Sequence, residues 1–104
     1  MPEVGVYMIA NLVVTDADEY RIYEQGFFRI LKRHGGQFVT YDDSSVTLEG
    51  EAPPPGRIVI FQFPSEEAAQ NWFGDPDYQE LSKHRRAGAA LQFLTLVHGL
   101  PPRG

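Results

Sequence analysis

Hydrophobic positions along this chain repeat at two different spacings, and the places where the spacing changes mark the elements. From Val4 to Val14 two alternating sets run side by side: Val6, Met8, Ala10, Leu12 and Tyr7, Ile9, Asn11, Val13. Both are mostly apolar, as expected of a strand with two buried faces. Thr15-Asp16-Ala17-Asp18-Glu19 is a helix start, with Asp16 as cap and Glu19 where a capping box needs an acid. The helix is predicted to run to about His34, because Tyr20, Tyr23, Phe27, Ile30, Leu31 and His34 fall on one stripe. Arg29, Lys32 and Arg33 suit the negative end of its dipole, and Gly35-Gly36 stops it. Gly26, inside the helix, either admits another backbone or costs about 1 kcal/mol.

Gln37 to Asp42 is a second predicted strand and Asp43-Ser44-Ser45 a turn. Val46-Thr47-Leu48-Glu49 alternates again and is expected to pair as a short hairpin extension. Pro53-Pro54-Pro55 stiffens the loop that follows. Arg57 to Phe63 is a third strand, again apolar on both faces. Ser65 caps a helix carrying Ala68, Ala69, Trp72 and Phe73. Gly74-Asp75-Pro76 interrupts it, and Asp75 caps a further segment in which Tyr78, Leu81 and Arg85 share a face. Ala90 to His98 is the last strand, with Gly99 to Gly104 a loose tail.

The order is βαββαβ over a single domain, residues 1–104. The fold class is therefore α+β, ferredoxin-like, with an antiparallel sheet and its helices on one face. Alternation does not say which set on each strand meets the helices. It does say that the other face is too apolar to stand in water. A second copy of the chain covers it most simply, so a homodimer through the sheet face is expected.

Composition changes this picture little. The chain has 104 residues, a net charge of -5 and no cysteine. The acidity argues against nucleic acid as a partner. The lack of cysteine removes disulfides, thiol catalysis and thiolate metal sites, and fits a cytoplasmic setting. Met1-Pro2-Glu3-Val4 does not resemble a signal peptide, and no apolar run approaches a membrane span of roughly 20 residues.

Several segments together resemble the domain-of-unknown-function 1330 family, within the dimeric α/β-barrel superfamily. They are Gly5-Val6-Tyr7-Met8-Ile9-Ala10, Asp18-Glu19-Tyr20 through Tyr23, His34-Gly35-Gly36 and Val46-Thr47-Leu48-Glu49-Gly50. The pattern continues through Arg57-Ile58-Val59-Ile60, Phe63-Pro64-Ser65, Ala68-Ala69, Trp72 and Asp75-Pro76-Asp77-Tyr78, with Arg85 or Arg86 beyond. The resemblance implies a ferredoxin-like subunit whose sheet packs on a partner's sheet, and it brings no catalytic residues with it. Asp42-Asp43 stands where relatives often carry a basic residue and glycine, which speaks against an anion contact at that loop.

Candidate chemistry falls into two sets. In the first, a pocket between helices and sheet binds or transforms a small organic molecule, acidic or phenolic. Tyr23, Arg57, Trp72, Tyr78 and Arg85 would form it, with Tyr23 and His34 exchanging protons, both arginines holding negative charge and Trp72 as a wall. The second set comes from the superfamily, whose cofactor-free monooxygenases and haem-degrading enzymes use an Asn, a Trp and a His in this chain order. Here those are Asn11, Trp72 and His84. Each residue also has a plainer role: Trp72 as core, Asn11 as a hydrogen-bonded strand residue, His34 as a helix-end cation, and Lys83-His84-Arg85-Arg86 as a solvated helix end. No cofactor and no metal site is implied. A dimeric interaction module without catalysis is the third possibility.

Overall fold

Residues 4–101 are described by the computed structural model. The elements are β1 (Val6–Val14), α1 (Ala17–Arg33), β2 (Gln37–Asp42), β3 (Arg57–Phe63), α2 (Glu66–Gly74), α3 (Pro76–Gly88) and β4 (Ala89–His98). The strands lie in the order β2-β3-β1-β4, every neighbouring pair antiparallel. This is the ferredoxin-like sheet, with the helices on one side. Met1 to Glu3 and the end of the expected tail, Pro102 to Gly104, lie outside the described residues.

Helix boundaries follow the capping chemistry. The Glu19 N–H donates to Asp16 Oδ1 at 3.2 Å, and Gly35 (φ +74°) follows the C-cap His34. The reciprocal half of the capping box is not made. The Glu19 carboxylate instead meets His84 Nδ1 at 3.2 Å, and the Asp16 N–H donates to the Gly88 carbonyl at 3.1 Å. Ser65 caps α2 through the Ala68 N–H, and Asp75 ends α2 and caps α3 through the Asp77 N–H.

α1 and α3 pack antiparallel. At one end a Cβ on Gly88 would lie 2.6 Å from the Tyr20 backbone nitrogen, so only glycine permits the approach. At the middle, Gly26 admits the Leu81 side chain rather than a backbone: a Cβ there would be 2.9 Å from Leu81 Cδ1. At the other end Arg33 and His34 reach Asp75.

The even-numbered set of β1 faces the helices. Val6, Met8 and Leu12 join Phe61 and Phe63 of β3 and Tyr20, Tyr23, Phe27, Ile30, Leu31 and Trp72 of the helices in one core. The opposite face has no cover among the described residues. Cross-strand register places Tyr7, Ile9, Val13, Ile58, Ile60, Phe93 and Val97 on it, with Gln37, Thr40, Asp42, Gln62 and Thr95 among them. Tyr7, Phe93 and Val97 are each exposed.

Two expectations fail. Val46 to Glu49 form no strand: residues 43–56 are irregular, and Leu48 is 93% exposed. Asp42 Oδ1 accepts from the Ser44 N–H at 2.7 Å, an Asx turn that ends β2, and Arg57 grips Asp43 beside it. The chain is turned away before a longer hairpin can form. Nor is Lys83-His84-Arg85-Arg86 uniformly solvated, because Arg85 points inward and is 5% exposed.

Candidate functional site

A cavity of about 130 Å³ lies between α1, α3 and the sheet. Its floor is Ala10 and Leu12 of β1 with Val59 and Phe61 of β3. Ala10 is the small residue among these, and the space stands over it. Tyr20, Tyr23 and Phe27 from α1 and Tyr78 and Arg85 from α3 close it from above. Leu91 and Leu94 of β4 bound one flank. Phe38 and Tyr41 of β2, with Glu24, Phe28 and Arg57, bound the other.

Each flank depends on a β-bulge. In β2 the pairing passes from Phe38–Phe61 to Thr40–Ile60, so Val39 is unpaired and Tyr41 joins Phe38 on the helix side. In β4 it passes from Asn11–Phe93 to Leu12–Leu91, so Gln92 is extra and Leu91 joins Leu94. A bulge shifts the alternation by one and re-aims a side chain. Both here add a wall residue to the cavity.

The two arginines stand in contrasting surroundings. Arg57 Nε and Nη2 donate to Asp43 at 2.7 and 3.1 Å, and Nη1 donates to Glu24 at 3.2 Å. Its guanidinium also lies 4.6 Å from the Tyr41 ring centre and 5.6 Å from that of Tyr20. Those hydrogen bonds raise the Arg57 pKa and lower that of Asp43. Arg85 has no carboxylate partner among the described residues, and its buried Nε has no hydrogen-bond acceptor there.

The Tyr23 and Tyr78 hydroxyls are 3.0 Å apart. Burial, and then the Tyr78 hydroxyl beside it, push the Tyr23 pKa well above the usual tyrosine value. Burial raises that of Tyr20 as well, with Arg57 opposing. Tyr23 is therefore a neutral phenol and not a base, and either hydroxyl of the pair can donate to the other. A hydroxyl pair of this kind uses one proton internally and leaves one for an outside acceptor.

Tyr23, Arg57, Tyr78 and Arg85, singled out from the sequence, thus surround one cavity. Trp72 lies behind it, fully buried, its ring centre 4.1 Å from that of Tyr78. His34 is elsewhere, with Nε2 2.8 Å from Asp75 Oδ2 at the far end of the helix pair. Asn11, Trp72 and His84 do not meet at the cavity. Asn11 donates from Nδ2 to the backbone carbonyls of Pro55 and Arg57, at 2.6 and 3.0 Å, and His84 pairs with Glu19. Glu24, Asp43 and Tyr41 were missed. Tyr41 was hidden by the bulge, which breaks the period of two. Asp43 and Glu24 reach Arg57 across 14 and 33 residues of chain, with no local signal. Among the described residues no three His, Asp or Glu side chains converge as metal ligands would, and no helix is long and apolar enough to cross a membrane.

A family model described as a domain of unknown function, DUF1330, matches residues 5–100. The chain belongs to that family. No curated protein sequence matches it. Among solved structures, this DUF1330 chain is similar to a protein of unknown function from Rhodopseudomonas palustris, with 23% identity and a TM-score of 0.76 over 96% of this chain and 85% of that one. It is similar in fold to SnoaB, a cofactor-independent oxygenase from Streptomyces nogalater, at 15% identity and a TM-score of 0.64 over 97% and 95% of the two chains. A putative antibiotic biosynthesis monooxygenase from Chloroflexus aurantiacus follows, at 14% identity and a TM-score of 0.59 over 96% and 97%. These likenesses place the DUF1330 chain in the ferredoxin-like architecture expected from its sequence.

Proposed function

We propose that this DUF1330 protein binds a small organic molecule in the cavity between α1, α3 and the sheet, and that it does so as a homodimer joined through the bare sheet faces. The cavity itself carries the first half. An aromatic and aliphatic chamber of about 130 Å³, edged by a few polar groups, has the make-up of a ligand site. Its size is comparable to engineered cavities of about 150 Å³ that accept a benzene ring. The second half rests on the row of apolar side chains, Tyr7, Ile9, Ile58, Ile60 and Phe93 among them, that no helix covers.

Ala10→Leu tests the binding. The added carbons enter the cavity from its floor, so a single-ring compound that raises the melting temperature of the natural protein stops doing so in the variant. An equal rise in both places the ligand elsewhere. Ile60→Glu tests the assembly, since it sets a charge on the bare face of a central strand. Sedimentation is expected to show a dimer for the natural chain and a monomer for the variant.

Oxygenation without a cofactor, the activity named for SnoaB, and haem degradation are the readings that would use Asn11, Trp72 and His84. The Asn11 amide is occupied by two backbone carbonyls and none of the three lines the cavity, which favours the binding site formed by Tyr23, Tyr78 and Arg85.

A further inference from the structure

Resting on that binding site, we infer that its natural ligand is a carboxylate carrying a small apolar body, of the size of one aromatic ring, and that Arg85 receives the acid group. A buried guanidinium without an anion is costly and rarely left so. Arg85 is 5% exposed, its Nε has no acceptor, and no Asp or Glu among the described residues pairs with it. Arg57, the other cation of the cavity, is already held by Asp43 and Glu24. Of these two, only Arg85 therefore has charge to offer, whereas the sequence suggested that both would hold an anion.

The position of Arg85 also fits. It lines this cavity and, with Leu91 and Leu94, a second and more open hollow of about 440 Å³. Phe73, Arg86 and Ala89 complete that hollow, and among the described residues no carboxylate lines it. An anion can thus approach past Arg86 and stop at Arg85 without meeting Glu24 or Asp43, which lie on the other flank. Its apolar body then enters the chamber, where Phe27, Phe61 and Tyr20 offer ring edges and faces. The hydroxyl proton that the Tyr23–Tyr78 pair leaves free supplies a second donor. A carboxylate has acceptors for both donors, and a guanidinium meets it as a fork.

Benzoate and its neutral counterpart benzyl alcohol are the probes, titrated into the natural protein and into Arg85→Met and Arg57→Met. Benzoate is expected to bind the natural protein tighter than benzyl alcohol by about ten- to a hundredfold. The preference should vanish in Arg85→Met and persist in Arg57→Met. Equal binding of both probes to the natural protein overturns the carboxylate inference and leaves the cavity as a binding site. Binding of neither overturns the cavity as well. Should Arg85→Met not fold, the Arg85 Nε–H resonance of the natural protein decides. It is expected to move with benzoate and not with benzyl alcohol, and an unmoved resonance under saturating benzoate overturns the assignment.

Discussion

Arg57 and Arg85 border one cavity from opposite flanks, and their surroundings could hardly differ more. On the β2 flank, Arg57 is fixed by a bidentate grip on Asp43, a third bond to Glu24 and two aromatic rings. On the β4 flank, Arg85 is deeper, and among the described residues it has neither a counter-ion nor an aromatic ring stacked on its guanidinium. The first arrangement is complete and resembles a structural clamp: it ties the two ends of the 43–56 loop to each other and to α1. The second is incomplete, and an incomplete buried charge is where a ligand gains most. Residue type alone would have treated the two arginines alike. Their partners separate them.

The largest effect expected is on the aromatic core behind the cavity. Trp72 is fully buried and touches Tyr78, Phe61, Phe63 and Phe27. Trp72→Ala should cost about 3–5 kcal/mol in urea unfolding, as truncated core aromatics do. A loss below about 1 kcal/mol would mean the packing around Tyr78 is looser than described, and the contrast between the flanks would lose its footing.

Next come the arginines themselves, where the contrast predicts opposite signs. Arg85→Met replaces an unpaired buried charge with an apolar chain of similar length, so ligand-free stability should rise by about 1–3 kcal/mol. Arg57→Met strands Asp43 and Glu24, both substantially exposed, and should lower it by at most about 1 kcal/mol. If both variants lose stability, Arg85 is held by something equivalent to the Asp43 grip and the two flanks are alike.

Sequence showed most of the frame and only part of this contrast. Strands and helices were legible because each has a clean period and a marked end, such as Asp16, Gly35, Ser65 and Asp75. The stripe Tyr78–Leu81–Arg85 already placed Arg85 with the core face of α3, while the basic run around it pointed to solvent, and the stripe was the better guide. Val46 to Glu49 misled because alternation within four residues says nothing about whether a neighbouring strand exists to pair with. The clamp on Arg57 stayed hidden because it depends on the path of an irregular loop. The bulges at Val39 and Gln92 stayed hidden because an extra residue in a strand leaves no mark in composition.

A smaller effect should separate the tyrosine pair from both arginines. Tyr23→Phe removes one hydroxyl and leaves the Tyr78 oxygen without its 3.0 Å partner. The expected cost is about 1 kcal/mol by denaturant titration. Benzoate binding should weaken by less than in Arg85→Met, because a neutral donor is lost and the cation stays. A weakening as large as that of Arg85→Met would shift the receiving role to the hydroxyls.

The smallest effect on binding is expected at His34, which the sequence offered as a proton carrier and the fold sets against Asp75, away from the cavity. His34→Asn should leave benzoate affinity unchanged while altering acid stability, so one variant reports on two regions. Asp75 is held at about 2, below its ordinary 3.8, first by His34, then by the Asp77 N–H and by Arg33. A carboxyl depressed in the folded state adds stability above its ordinary value and loses it as pH falls through the folded one. Removing His34 brings the two values closer, so the variant has less of this stability to lose. Natural and variant proteins should therefore differ more at about pH 4 than at about pH 2, the gap closing as pH falls between them, measured by urea midpoints across that range. A gap that stays constant with pH would place the worth of His34 in packing at the end of α1, and a change in benzoate affinity would bring that end of the helix pair into the site after all.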